Sequence, residues 1–99
     1  MDQYIIGPPK TVTVDTTIGL LSADIVPTSG KYEGMKAEVA TIQAIGALYV
    51  QTDGSDADAT GWPMAATDIL TIEGYQNIKN LRFVKKTGAT SLVWLPSYR

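Results

Sequence analysis

The sequence has 99 residues, 44% of them hydrophobic and 18% charged, which predicts one folded domain. It contains neither cysteine nor histidine, which excludes a disulfide framework, a thiol nucleophile and any histidine-based triad or metal site. The formal net charge of −2 gives no general attraction to nucleic acid, so no specific nucleic-acid partner is expected.

Residues 1–10 have neither the basic start nor the apolar run of a signal peptide. The longest apolar stretch, residues 37–50, is interrupted by Glu38, Thr41, Gln43 and Gly46, so it does not suit a membrane span. The sequence therefore predicts a protein made in the cytosol, with no membrane partner.

The composition favours strands over helices. Threonine, with 12 residues, suits a half-exposed pleated surface, while 9 glycines and 5 prolines interrupt helices before they become long. The Ala-rich residues 34–45 are the best helical candidate, but Val39, Thr41 and Ile42 favour a strand there. No long helix is expected.

The N-terminal part begins with a short apolar run that ends at Gly7-Pro8-Pro9, and the prolines predict an arm or an edge piece over residues 1–9. Residues 10–99 are predicted to form the domain. Alternation predicts a strand over residues 10–15 with Val12 and Val14 on one face, and a broken strand over residues 18–26.

The C-terminal part contains five further predicted strands, over residues 35–42, 44–52, 68–74, 81–86 and 91–98. Residues 75–80 suit a turn or a single helical turn, and residues 87–90 suit a hairpin connection. Short strands at intervals of about ten residues predict an all-β, antiparallel β-sandwich or jelly roll. One face of these strands is expected to be buried, namely Val39, Leu48, Val50, Leu70, Ile72, Leu81 and Phe83.

Three acids in the loop between two of these strands are the best candidate for a metal site. Asp53, Asp56 and Asp58 lie within six residues, but a calcium loop starting at Asp56 needs a bidentate acid at position 12, where Thr67 stands. The loop is therefore predicted to hold no metal, and its aspartates to cap backbone amides.

No catalytic residue and no cofactor are predicted. The sequence has no Gly-x-Ser-x-Gly and no phosphate-binding glycine loop, and a 99-residue sandwich leaves little depth for a cleft with paired carboxylates. The two tryptophans and five tyrosines suit the core or a subunit interface, and they also permit a sugar-stacking platform.

Charge is divided unevenly along the chain. Residues 1–73 hold all ten acids and three lysines, a net charge of −7, whereas residues 74–99 hold five basic residues and no acid, a net charge of +5. Either the basic segment mixes with acidic strands of its own domain, or each subunit carries unlike patches that favour association with other copies.

A little over half of the chain, residues 44–99, resembles small proteins encoded near the head genes of tailed bacteriophages and prophages. In those proteins an aromatic-containing strand is followed by Asp-Gly, an Ala/Thr-rich loop, a strand of the type Asp-x-Leu-x-Ile-Glu-Gly, an Asn-containing turn, an apolar-basic strand and a final Tyr-Arg. The corresponding residues here are 47–50, Asp53-Gly54, 57–61, 68–74, 76–78, 81–84 and 97–99, with Trp62-Pro63 and Leu95-Pro96 as departures. Pro96 suggests that the last strand lies at a sheet edge or bends away.

The resemblance implies a non-enzymatic virion protein, such as a capsid decoration or cement protein, a head-fibre base or a head–tail component. Its partners would be other copies of itself, as a homotrimer, and the major capsid protein or another virion protein. The predicted interface residues are Arg82, Lys85, Lys86, Trp62, Trp94 and Tyr98. The alternatives are a carbohydrate-binding β-sandwich that uses Trp62 and residues 53–61, and an accessory domain of a tail or adhesin protein.

Overall fold

The computed structural model describes residues 4–99 and places them in eight strands and two short helices. Every strand pair in this range is antiparallel, which confirms the all-β prediction. The elements are β1 (Ile5–Ile6), β2 (Lys10–Val14), α1 (Ser22–Ile25), β3 (Ala37–Ala44), β4 (Leu48–Gln51), β5 (Trp62–Met64), β6 (Ile69–Glu73), α2 (Tyr75–Lys79), β7 (Arg82–Lys85) and β8 (Thr90–Tyr98).

The strands form two sheets. A five-stranded sheet has the order β1-β8-β3-β6, with β2 paired to the same edge of β8 as β1, and a three-stranded sheet has the order β5-β4-β7. The chain passes from one sheet to the other between β3 and β4. It also passes between the sheets from β5 to β6 and from β7 to β8. In each of these three cases, two consecutive strands contribute one strand to each sheet.

The predicted hairpin at residues 87–90 is wrong, because β7 pairs with β4 whereas β8 pairs with β3. The Lys86 N–H donates to the Ala47 carbonyl at 3.3 Å, and the Ile45 N–H donates to the Ser91 carbonyl at 3.0 Å. After residues 87–89 the chain therefore passes from its pairing with β4 to its pairing with β3, instead of reversing as it would in a hairpin.

The expectation for Pro96 is also wrong, because β8 lies inside the sheet, between β3 on one edge and β1 and β2 on the other. The Pro96 carbonyl accepts the Gly7 N–H at 2.8 Å, so the proline nitrogen points to the same side. On that side the neighbour of β8 changes from β1 to β2, and no N–H from Pro96 is needed there. Gly7 is required there, because a Cβ would lie 2.6 Å from the Tyr98 ring.

A bulge in β3 reverses the predicted inward face of that strand. Ala37 pairs with Tyr98, but Val39 pairs with Ser97, so two steps along β3 match one step along β8. Ala37 and Ala40 consequently both face the core, and Val39 faces outward and is half-buried. The prediction of a buried Val39 is wrong for this reason.

The other predicted core positions fall into two groups. Leu48, Val50, Leu81 and Phe83 are buried, as predicted. Leu70 and Ile72 face the same side but are only half-buried, because β6 ends the five-stranded sheet. The core itself is one hydrophobic cluster to which both sheets and both helices contribute, including Val12, Val14, Ile25, Ile42, Ile78, Leu92 and Trp94.

The N-terminal region differs from the prediction in one element. Residues 18–26 form a single bridge, from Ile18 to Phe83, followed by helix α1, rather than a broken strand. Part of the predicted arm, Ile5–Ile6, pairs with β8 at the sheet edge. Residues 1–3 of that arm lie outside the described residues.

The outward position of Val39 that follows from the bulge can be tested with two isosteric substitutions. Val50→Thr buries a hydroxyl at a position with 1% exposure and should lower the free energy of unfolding by about 1–3 kcal/mol. Val39→Thr, on the outward side, should change it by about 0.5 kcal/mol or less. Urea unfolding of both variants measures the difference, and equal losses would contradict the observed strand phase.

Candidate functional site

Two of the six predicted interface residues belong to the interior of the chain. Trp94 has 0% of its surface exposed and Tyr98 has 1%, since both lie on the inward side of β8. Neither presents surface to a second chain, so we correct their assignment from interface to core.

Tyr98 links β8 to helix α1 and to the loop that follows it. Its hydroxyl donates a hydrogen bond to the Asp24 carbonyl at 2.5 Å, and its ring stacks on Tyr32 with centroids 4.9 Å apart. Lys10, in β2, adds an ion pair to the Asp24 carboxylate at 3.5 Å. Leu95-Pro96, where this sequence departs from the pattern of the phage proteins, therefore lies close to Tyr98, which holds helix α1 and the following loop.

The Trp94 indole is buried without a polar partner. Its Nε1 has no hydrogen-bond acceptor within residues 4–99. A buried unpaired N–H costs about 1–3 kcal/mol, so burial of the large ring must outweigh that cost.

The basic segment is bound to its own chain at two of its residues. The Lys85 ammonium forms an ion pair with the Asp15 carboxylate. The Arg82 guanidinium donates to the carbonyls of Lys79 at 3.0 Å and Leu81 at 2.7 Å. The Lys85–Asp15 ion pair agrees with mixing of charges within one domain, whereas Arg82 contacts only carbonyls of the basic segment itself in these bonds. Lys86 is exposed at the start of the connection to β8.

Trp62 is the most exposed large hydrophobic residue described, with 67% of its surface accessible. It begins β5, an edge strand of the three-stranded sheet, directly after the acidic loop. Its side chain is therefore accessible, and its role at an interface or in sugar binding stays a prediction.

The acidic loop is held by its own hydrogen bonds. The Asp53 carboxylate accepts the Ser55 N–H at 3.0 Å, and the Asp58 carboxylate accepts the Thr60 N–H at 2.9 Å. Hydrogen bonds from Ser55 and Thr60, through hydroxyl and backbone, lower the pKa of Asp53 and Asp58 respectively. At Asp53 and Asp58 this is the amide capping that the sequence predicted. Within residues 4–99 no three acidic side chains are grouped as metal ligands, and the absence of a metal stays a prediction.

The outer face of the five-stranded sheet is a surface without an assigned role. It is formed by the side chains of β8, β3, β6, β1 and β2 that point away from the core, at paired positions such as Leu95 with Thr41 and Val93 with Gln43. Its most exposed apolar residues are Ile6 and Ile69, with 65% and 64% of their surfaces accessible. Leu95 is 38% exposed at its centre.

This outer face is almost free of charge and carries exposed apolar side chains among small polar ones. The paired positions around Leu95 carry threonine, serine, glutamine and aliphatic side chains, and the nearest acids, Glu38 and Glu73, lie at the end next to the bulge. A hollow of about 200 Å³ lies on it between Val93, Leu95 and Ile69. Solvated faces of antiparallel sheets usually carry polar and charged side chains. An exposed apolar patch of this kind is typical of a binding surface.

Sequence reasoning missed Val93, Leu95 and Ile69, although a signal was present. In β8 the inward residues Leu92 and Trp94 alternate with Val93 and Leu95, so both faces of the strand are apolar. Such a strand is expected where both faces are covered, and here residues 4–99 cover only one face.

The chain matches no protein-family model, no curated protein and no solved structure. Among the helices of residues 4–99, none has the length and apolar character required to cross a membrane.

The buried Tyr98 hydroxyl predicts a loss of stability at alkaline pH. Burial, the Asp24 charge and the Tyr32 hydroxyl raise the pKa of Tyr98 in the folded chain. The folded state therefore holds this proton more tightly than the unfolded state, so stability is full below the ordinary tyrosine pKa of about 10 and falls as the pH rises above it.

Tyr98→Phe tests this prediction. The variant lacks the hydrogen bond to Asp24, so its free energy of unfolding at neutral pH should be lower by about 0.5–1.5 kcal/mol. Its stability should also fall less steeply than that of the unmodified protein above a pH of about 10. Tyr4→Phe, at an exposed tyrosine, is the matched control and should follow the unmodified protein. Urea unfolding from pH 7 to 11 gives both results, and parallel curves for Tyr98→Phe and the unmodified protein would contradict the assignment.

Proposed function

We propose that this chain is a non-enzymatic structural protein of a tailed-phage virion, which binds the capsid shell or another virion protein as a homo-oligomer. The observation that carries the proposal is the outer face of the five-stranded sheet, which exposes apolar residues such as Leu95 and Ile69 and is almost free of charge. A decoration or cement protein requires such a face and no reaction chemistry. The resemblance of residues 44–99 to phage head-region proteins supplies the virion as the place of action.

The fold suits this role if the two sheets are the layers of a β-sandwich, which is part of the proposal. Inward side chains of both sheets, such as Ile42 and Phe83, belong to one hydrophobic cluster. A layered scaffold leaves one flat face for a partner while the core keeps that face rigid. On a symmetric shell the same modest contact is repeated many times, and the repetition raises the overall affinity.

The oligomer is proposed on two observations. Large apolar side chains, including Ile69 and Trp62, remain exposed in the single chain, and a domain of this size gains stability from apolar surface buried between subunits. The trimer that the resemblance implies stays a prediction, which the mass in solution tests.

The shell-binding face can be tested with two leucine substitutions that add the same charge. Leu95→Lys places an ammonium at the centre of the outer face and should weaken binding to purified shells at least tenfold. Leu21→Lys is the matched control, because Leu21 is also exposed, at 59%, but lies beside helix α1.

Co-sedimentation with shells of the phage or prophage that encodes the chain measures this binding, and circular dichroism verifies that both variants keep their strands. The proposal fails if the unmodified protein does not bind the shells. It also fails if Leu95→Lys binds them as strongly as Leu21→Lys does.

A carbohydrate-binding module is the second candidate, because Trp62 is exposed beside the acidic loop. Since Trp94 is buried, a change in tryptophan fluorescence on adding glycans would report on Trp62. A glycan-dependent signal that disappears in Trp62→Phe would favour this candidate over the virion protein, and its absence is what we expect.

A further inference from the structure

We propose that the free edge of β6 pairs with β6 of a second copy of this chain, antiparallel and centred on Thr71. The inference rests on the homo-oligomer of the proposed function, since it names one contact that builds it. β6 ends the five-stranded sheet, and no strand within residues 4–99 pairs with its outer edge.

The hydrogen bonds of β6 with β3 determine which backbone groups are free. The Gly74 N–H donates to the Glu38 carbonyl at 2.7 Å, just beyond the paired residues Val39 and Glu73. Antiparallel pairs alternate between hydrogen-bonded and non-hydrogen-bonded. The backbone groups of alternate residues Leu70 and Ile72 therefore point to β3, and those of Thr71 point away from it.

The same alternation directs the backbone groups of Ile69 and Glu73 outward. The Glu73 carbonyl accepts a hydrogen bond from the Asn77 amide at 2.9 Å, which marks the end of the available edge. Ile69 and Thr71 thus offer both N–H and carbonyl groups to another strand, and Glu73 offers its N–H.

The edge of β6 lacks the features that usually prevent pairing between chains. Proline, lysine and bulges are common protections of edge strands. β5 contains Pro63, and Pro8 and Pro9 follow β1 at the opposite edge of the five-stranded sheet. β6 reads Ile-Leu-Thr-Ile-Glu, with no proline and no basic residue.

A groove beside this edge fits the same strand of a second copy. It has a volume of about 520 Å³ and is lined by Thr71, Ile72 and Glu73 of β6, together with Thr52, Asn77 and Leu81. With Thr71 facing its counterpart, Leu70 of the second copy lies opposite Ile72 on the core side. That leucine would enter the groove beside Ile72 and Leu81.

This pairing completes the burial of two half-buried residues in each copy. Leu70 and Ile72 point inward but remain partly exposed at the open edge. A two-fold axis through Thr71 covers both of them in both chains with one contact. Glu73 lies opposite Ile69 in this register, so no like charges meet directly across it.

A second copy is favoured over an unrelated extended peptide because the edge is complementary to itself. The pairing also joins the two outer faces into one wider face, on which Glu73 of each copy lies beside Ile69 of the other. A two-fold contact gives a dimer, or a hexamer where a separate contact also gives trimers, so an even number of chains is expected.

The first experiment measures mass in solution by sedimentation velocity over a range of protein concentrations. The unmodified protein should have an even multiple of 10.6 kDa, and Thr71→Lys and Thr71→Pro should halve it or weaken association at least a hundredfold. Thr71→Pro removes an N–H that its own sheet does not use. Thr13→Lys is the matched control, at an exposed threonine of β2 on the opposite edge, and should associate normally.

The second experiment uses the absence of cysteine from the sequence. In the proposed pairing the two Thr71 Cα atoms lie about 5.5 Å apart, within the range of a disulfide. Thr71→Cys should therefore form a disulfide-linked dimer on mild oxidation, whereas Thr13→Cys should remain mainly unlinked.

The inference is overturned if the unmodified protein is a monomer at high concentration. It is equally overturned if such a monomer binds an unrelated extended peptide at this edge. It is also overturned if folded Thr71→Lys and Thr71→Pro associate normally. Loss of shell binding in Leu95→Lys with normal association of the Thr71 variants would refute this contact alone. Halved mass in those variants without any shell binding by the unmodified protein would refute the proposed function alone.

Discussion

Pairing along both edges of β8 is the constraint on which the five-stranded sheet depends. β1 and β2 share one edge of this strand and β3 occupies the other, so only β6 joins the sheet without touching β8. The inward side chains of β8, above all Trp94 and Tyr98, enter the core, and Tyr98 also holds helix α1 through the Asp24 carbonyl. The outward side chains Val93 and Leu95 form the centre of the outer face. One strand thus supplies both the stability of the fold and its candidate binding surface.

The two proposed contacts use different parts of the same sheet. The outer face, centred on Leu95, offers apolar area, whereas the free edge of β6 offers directed backbone hydrogen bonds and a groove next to Ile72. Contact by a face and contact by an edge do not compete for the same atoms. The ion pairs Lys10–Asp24 and Lys85–Asp15 lie within the chain and are partly exposed, so they contribute little to stability.

Local alternation was sufficient to predict much of the fold. The inward positions of β2 and β7 follow directly from period two, and α2 occupies the predicted turn or helical turn. The failures come from information that alternation does not contain. One extra residue in the β3 bulge moved Val39 outward, and the place of Pro96 depended on the distant joint at Gly7. The prediction of the candidate site relied on aromatic size as a sign of an interface and did not use the second apolar face of β8.

The position of β8 along the chain sets the order in which the protein can fold. Its partners β1, β2 and β3 all precede it, and the pairing of Ile5 with Tyr98 joins residues 93 positions apart. Contacts of such long sequence separation slow folding. During synthesis, β1, β2 and β3 leave the ribosome before the strand that connects them exists. Until β8 emerges, their edges are exposed in the nascent chain, and this interval is when the protein is most exposed to aggregation and most dependent on chaperones.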